Sequence, residues 1–177
     1  MNEQKNLYTV SIYTEDNVGL LNRISAIFQR RHINIDSLSS SVSEIEGVSR
    51  FTVLVQVSEA QMRKIIGQIE KQVEVIKAYY HTDEETIYQE SCLFKIKSSL
   101  LFDDRKIQNI IKESNAIIVT VNPEFFVIEK SGRTYELDEL YEKLSKYGIL
   151  QYVRSARIAV TKAPLFISDI LKKFKKK

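Results

Sequence analysis

The sequence predicts an α/β fold of the α+β type, built from two ferredoxin-like βαββαβ units. Three observations predict it. Between Leu7 and Tyr80 the hydrophobic pattern runs strand, helix, strand, strand, helix, strand. The same order recurs, less sharply, from Glu90 to Val160. A short acidic stretch, Thr82-Asp83-Glu84-Glu85-Thr86, lies between them. The expected domains are 1–82 and 83–177, the second carrying a basic C-terminal helix and tail.

Leu7 to Ile12 alternates as a strand does, and Leu20, Leu21, Ile24, Ile27 and Phe28 fall at helical spacing within residues 19–31. Between them lies Tyr13-Thr14-Glu15-Asp16-Asn17-Val18-Gly19. Asp16 and Asn17 are good N-cap residues, because their side chains accept from the free N–H groups of a first helical turn. Gly19 has no Cβ, so a ligand or backbone can come close. A strand that feeds a helix N-terminus through such a turn suits a carboxylate or phosphate. The plain alternative is a strand–turn–helix junction with no ligand.

Ile33 to Val42 and Val48 to Val57 read as a hairpin around Ser43-Glu44-Ile45-Glu46-Gly47. Ser58 and Gln61 have capping-box spacing, and Met62, Ile65, Ile66 and Ile69 form the stripe of the helix that follows. Val73 to Tyr80 closes the unit. In the second half Glu90 to Ser98 is a strand, and 103–113 a helix with Ile107, Ile110 and Ile111 inward. Ala116 to Val121 and Phe125 to Lys130 form a hairpin around Asn122-Pro123-Glu124. A helix from Tyr135 to Tyr147 and a strand from Ile149 to Val160 complete it. Each unit has fewer than 100 residues and a thin core, so pairing between units or chains is expected to add burial. Leu165, Phe166, Ile170, Leu171 and Phe174 predict a short helix docked on the core.

The net charge of +3 comes from a tail. Five lysines fall at 172, 173, 175, 176 and 177, and taking them from the 26 basic residues leaves 21 against 23 acidic. Cys92 is single and lies in an apolar run, so no disulfide framework forms and a reducing cytoplasm is the expected compartment. No apolar run is long enough to span a bilayer. His32 and His81 have no partner at metal-ligand spacing, and no nucleophile elbow or Gly-rich phosphate loop appears. His32 stands at a helix end, where histidine tolerates the left-handed conformation better than most residues. The chain therefore reads as non-catalytic. Four-stranded sheets of this topology also bind RNA, but the paired surface aromatics of an RNA-recognition motif are missing and the body is acidic.

Three segments carry a family resemblance. Gly19-Leu20-Leu21-Asn22-Arg23-Ile24, Asn34-Ile35-Asp36-Ser37-Leu38 and Ser49-Arg50-Phe51-Thr52 resemble the ACT domain of the acetolactate synthase small subunit. Glu129-Lys130-Ser131-Gly132, Tyr147-Gly148-Ile149 and Val153-Arg154-Ser155 resemble its C-terminal domain. The first segment is shared by ACT domains widely; the second and third are specific to this subunit. Asp16, His32 and Ala156 depart from that pattern, which has asparagine, glycine and glycine there.

The resemblance implies a regulatory subunit that is itself no enzyme. Its partner would be the large catalytic subunit, which carries thiamine diphosphate, magnesium and FAD and condenses pyruvate with pyruvate or 2-oxobutyrate. The small subunit raises that activity and confers feedback inhibition by valine, leucine or isoleucine, valine foremost. ACT domains of the family pair in a homodimer with the effector at the interface. The implied contacts are Asp16, Asn17, Val18, Gly19, Leu20, Ile33, Asn34 and Ile35, with Asn34 coming from the opposing chain. The N–H groups at Val18 to Leu20 would receive the effector carboxylate. The Asn34 amide can both donate and accept. Asp16 would accept from the ammonium group or cap the helix. Leu20, Ile33 and Ile35 would meet a branched side chain or pack into the core, the latter being the stronger reading for Ile35. Neither nucleic acid nor membrane is an expected partner. A stand-alone ACT-type amino-acid sensor serving another enzyme or a transcriptional partner is the alternative.

Overall fold

The computed structural model describes residues 4–103 and 105–175. Asp104, Lys176 and Lys177, and the side chains of Asp103, Lys173, Phe174 and Lys175, lie outside the described residues, so the expectation for the basic tail stops there. The first unit comprises β1 (Asn6–Glu15), α1 (Leu20–Gln29), β2 (Ser37–Val42), β3 (Val48–Val57), α2 (Glu59–Ile69) and β4 (Val75–Thr82). The antiparallel sheet has the order β2-β3-β1-β4. Alternation decides its faces. Tyr8, Val10 and Ile12 of β1 enter a core with Leu20, Ile24, Ile27 and Phe28 of α1 and with Met62, Ile65 and Ile69 of α2. Both helices therefore cover one face of the sheet.

Helix ends follow their local chemistry. Ser58 and Gln61 form the expected capping box on α2. His32 has φ +54°, as expected for a residue that replaces glycine at a helix end. Its N–H reaches the Gln29 carbonyl at 2.9 Å, and the Ile33 N–H reaches Phe28 at 3.1 Å. This is the double bond pattern of a Schellman ending, which brings a hydrophobic residue back onto the helix. Ile33 fills that place and packs against the core. The chain is still leaving the helix there, so β2 begins at Ser37 and not at the expected Ile33.

The second unit repeats the topology. It has β5 (Thr86–Lys97), α3 (Ser99–Asp103), α4 (Arg105–Glu113), β6 (Ile117–Val121), β7 (Phe125–Gly132), α5 (Thr134–Ser145) and β8 (Ile149–Arg154), with strand order β6-β7-β5-β8. Its core joins Phe94 and Ile96 of β5, Phe126 and Ile128 of β7, Ile107 and Ile111 of α4, and Leu137, Leu140 and Leu144 of α5. Arg154 holds the end of β8 against β5, 2.6 Å from the buried Glu90 and 2.6 Å from Asp138. The expected linker is one turn of 3₁₀ helix, Asp83–Glu85, which the Thr82 N–H closes on Glu85 Oε2 at 2.8 Å.

The single strand expected from Ile149 to Val160 is two. β8 stops at Arg154, where the Ser155 N–H turns back to the Ser91 carbonyl at 2.8 Å. β9 (Ile158–Thr161) pairs with β5, and α6 (Ile167–Lys175) follows. Arg157, almost fully buried, donates to Asp83 Oδ1 at 2.5 Å and to Thr9 Oγ1 at 3.3 Å. Leu171 of α6 is buried with Tyr13 and Val48 on the other face of the first sheet. The short terminal helix thus docks on a core, as its apolar positions predict. It does so in the first unit. One compact unit consists of the residues up to Tyr88 together with those from Arg157 on, and the other is Gln89–Ala156. This differs from the expected division at residues 82 and 83, because contacts made after Arg157 return to β1, β3 and Asp83. No helix among the described residues is long and apolar enough to cross a membrane.

Candidate functional site

The turn after β1 is held from both sides. The Asp16 N–H donates to the Gly47 carbonyl at 3.1 Å, and the Ser49 hydroxyl donates to Asp16 Oδ1 at 3.0 Å. The Asn17 N–H and side-chain amide both turn back to Glu15, at 3.0 and 3.2 Å. Neither residue caps α1. The cap is Gly19, with φ +84° and no side-chain hydrogen bond, which corrects the expectation for Asp16 and Asn17. The reason is geometric. Glycine adopts the left-handed conformation at little cost, so the helix begins there and the two polar residues before it are spent on the turn. The first-turn N–H groups of α1 consequently have no side-chain acceptor from the cap. A Cβ built on Gly19 would meet nothing within 4 Å. Val18 beside it is fully exposed, and so in part is Leu21.

Leu20 is buried in the first core, so its side chain packs there and does not reach the open side of the turn. Ile33 and Ile35 are half-buried and pack on that same core, while Asn34 between them is exposed. These residues follow the C-terminal end of α1, whereas residues 16–19 precede its start. The helix has ten residues, so about 15 Å of helix axis separates the two groups within one chain. An open concavity of about 530 Å³ adjoins the first group, lined by Asp16 and Asn17 with Gly47, Val48, Val73 and Ile76. Asn34 has no part in it.

Two contacts beside the turn are silent in the sequence pattern. Ser49 opens the Ser49-Arg50-Phe51-Thr52 motif, and its hydroxyl fixes the Asp16 carboxylate. Arg23, one turn into α1, forms an ion pair with Glu74. The Glu74 carboxyl is held below its usual range by its own backbone N–H and then by Arg23. No spacing rule links residues 51 positions apart, so only the fold reveals this pair. Among the described residues no group of three or more His, Cys, Asp or Glu side chains could hold a metal ion. Cys92 is buried, its thiol pushed up to about 11 chiefly by that burial, so it is no nucleophile at neutral pH.

Two helices on one face of a β2-β3-β1-β4 sheet, with an open glycine at the first strand–helix turn, define an ACT-type domain, here joined to a second unit of the same topology. Sequence comparison agrees: residues 10–77 match the AHAS small subunit-like ACT domain, and residues 89–163 match the small subunit of acetolactate synthase. The Bacillus subtilis acetolactate synthase small subunit is 31% identical over 156 residues, covering 88% of this chain and 89% of its own. The Mycobacterium bovis acetolactate synthase small subunit is 29% identical over 160 residues, covering 89% and 93%. The crystal structure of the acetolactate synthase small subunit from Thermotoga maritima superposes with a TM-score of 0.81 at 23% identity, over 90% of this chain and 99% of that one. The chain belongs to the acetolactate synthase small subunit family.

Proposed function

We propose that this chain is the regulatory, non-catalytic subunit of acetolactate synthase. It raises the activity of the large subunit, on which thiamine diphosphate, magnesium and FAD reside, and makes it sensitive to a branched-chain amino acid, valine first. One observation carries the reading of the effector site. Gly19 and Asn34 stand at opposite ends of α1, each exposed and each facing away from the chain's own core. A site built from both is closed by two chains, with the turn of one copy against Asn34 of the other. The effector carboxylate then accepts from the uncapped N–H groups at the start of α1, where the helix dipole favours an anion. Asn34 meets the polar end of the effector from the second copy. Exposed Val18 and Leu21 supply apolar surface for the pairing.

The test is reconstitution. Titrating this chain into its large subunit raises the rate of acetolactate formation severalfold to a plateau, and valine lowers the plateau. A flat titration rules out the regulatory role. A plateau unaffected by valine, leucine or isoleucine removes the effector site and leaves the activating role.

A further inference from the structure

The other face of the first sheet carries chemistry that the turn at Gly19 does not use. Thr9, Ser11 and Tyr13 of β1 point away from α1 and α2, with Arg50 of β3 opposite Tyr13. His81 and Tyr79 of β4 stand opposite Thr9 and Ser11. The C-terminal stretch lies over this face. Arg50 Nη2 donates to the Ala159 carbonyl at 2.5 Å and to Ser11 Oγ at 3.1 Å. Between sheet and stretch an open cavity of about 430 Å³ remains, within the usual size range of small-molecule sites. Its sheet side presents hydroxyls, Arg50 and His81; on its other side Val160, Leu165 and Ile167 form an apolar part beside Thr161 and Ser168.

Arg50 Nε is buried with no hydrogen-bond partner, although Nη2 of the same guanidinium is doubly engaged. Leaving a buried charged donor unpaired is costly, so the N–H calls for an acceptor. Arg50 makes no ion pair with any described residue. The acid that lines the same cavity, Glu44, is exposed and accepts from Ser168 at 3.0 Å. The Nη2 that would complete a side-on fork is already spent on Ser11 and Ala159, so an anion here takes one charge-assisted bond from Nε–H and its second from a neighbouring hydroxyl. One permanent cation, Arg50, flanked by hydroxyls and with an acid at the rim, suits a monoanion better than a dianionic phosphate.

We propose that this cavity binds a small monocarboxylate with an apolar body. The carboxylate accepts from Arg50 Nε–H and the Ser11 hydroxyl, and the body lies against Val160, Leu165 and Ile167. None of these residues belongs to the Gly19 and Asn34 segments, so the proposal stands independently of the effector reading. Two sources share this chemistry. A 2-oxo acid brings the carboxylate alone, and an amino acid adds an ammonium group that Glu44 can receive.

The experiment uses the full chain with Ile, Leu and Val methyl groups labelled for NMR. It is titrated separately with 4-methyl-2-oxopentanoate and with leucine, each to about 10 mM, which reaches millimolar affinities. The methyls of Val160, Leu165 and Ile167 are expected to shift saturably with at least one probe, while those of Ile65 in the helix-side core stay still. Response to the oxo acid alone, or to leucine alone, identifies the source. Arg50→Gln lowers the affinity at least about tenfold, the size of one lost charge-assisted hydrogen bond. Ala163→Trp alters an exposed cavity residue rather than the core, so it keeps the fold and blocks binding whether or not Arg50→Gln folds. No saturable shift of these methyls with either probe overturns the proposal. So does a response confined to Val18, Leu20 and Leu21, or one that Ala163→Trp leaves unchanged.

Discussion

Gly19 shows what a single backbone dihedral decides. At φ +84° with nothing above its Cα, it needs glycine for its conformation and not for lack of room. Aspartate and asparagine are among the residues that tolerate this region, at a cost of about 1 kcal/mol. Gly19→Asp and Gly19→Asn therefore carry the same strain and differ by one charge. With Gly19→Asp, a carboxylate stands where the effector carboxylate is proposed to bind, and like charges repel. Feedback inhibition should be lost in Gly19→Asp, largely kept in Gly19→Asn, and activation kept in both. Acetolactate formation by the reconstituted variants, with and without valine, measures this; a fully inhibitable Gly19→Asp moves the site elsewhere. Cys92 makes a second prediction at this scale. Its thiol titrates near 9.0 when free and near 11 in the fold, raised chiefly by burial. The folded state thus holds its proton more firmly than the unfolded chain does. That contribution is complete below about pH 9 and is lost as pH climbs through about 11, roughly 2–3 kcal/mol in all. Urea unfolding between pH 8 and 11 should lose less stability in Cys92→Ala than in the wild type. Parallel losses would show that the thiol does not titrate in this way.

At the level of elements, the bodies of helices and strands are written in the sequence more plainly than their ends. The helix stripes of Ile24, Ile27 and Phe28 and of Met62, Ile65 and Ile69 are burial patterns written directly at helical spacing. The Ser58–Gln61 box is a local bond between neighbours, so spacing alone finds it. The start of α1 lies where the helical spacing puts it, but its cap does not: Asp16 and Asn17 are better caps by propensity, and their side chains are taken by Ser49 and Glu15. Tertiary partners overrode propensity there. Ile33 and Ile35 look like strand residues and so place the strand after α1 too early; their burial comes from the Schellman ending and the core beside it. His32 is the weak point of that ending, since a non-glycine residue at φ +54° carries left-handed strain. His32→Gly should stabilise the first unit by about 0.5–1 kcal/mol, because relief of strain exceeds the added entropy of the unfolded chain. Denaturant midpoints compare the two proteins. A lower midpoint in His32→Gly would mean that the imidazole makes a contact worth more than the strain.

Across the whole molecule, the feature that sequence periodicity could not carry is the discontinuity of the first unit. Two βαββαβ patterns in tandem read as two domains cut at the acidic linker, and nothing local in Arg157 to Leu171 says to which sheet it returns. Arg157, a charged residue in an otherwise apolar stretch, becomes intelligible only beside Asp83, Thr9 and the Tyr88 ring, whose centroid is 3.6 Å from its guanidinium carbon. The contact also brings the exit at Tyr88 and the return at Arg157 together. In the second unit Ser91 and Ser155 are joined by two bonds of 2.8 Å. Gln89–Ala156 is therefore arranged as an insertion with adjacent ends, the arrangement that domains tolerate best. A fragment of residues 1–82 should be the poorer ACT unit. It leaves Tyr13 and Val48 without Leu171, Arg50 without the Ala159 carbonyl, and Thr9 without Arg157. A fragment in which Tyr88 is joined to Arg157 by a short Gly-Ser linker keeps all three, and should unfold cooperatively with a midpoint several degrees above that of 1–82, since each kcal/mol is worth about 4–8 °C in a domain of this size. Arg157→Met in the joined fragment should lower the midpoint by leaving Asp83 unpaired. Equal midpoints for the 1–82 and joined fragments would show that the C-terminal stretch adds nothing to the first unit, and that the two halves are consecutive domains after all.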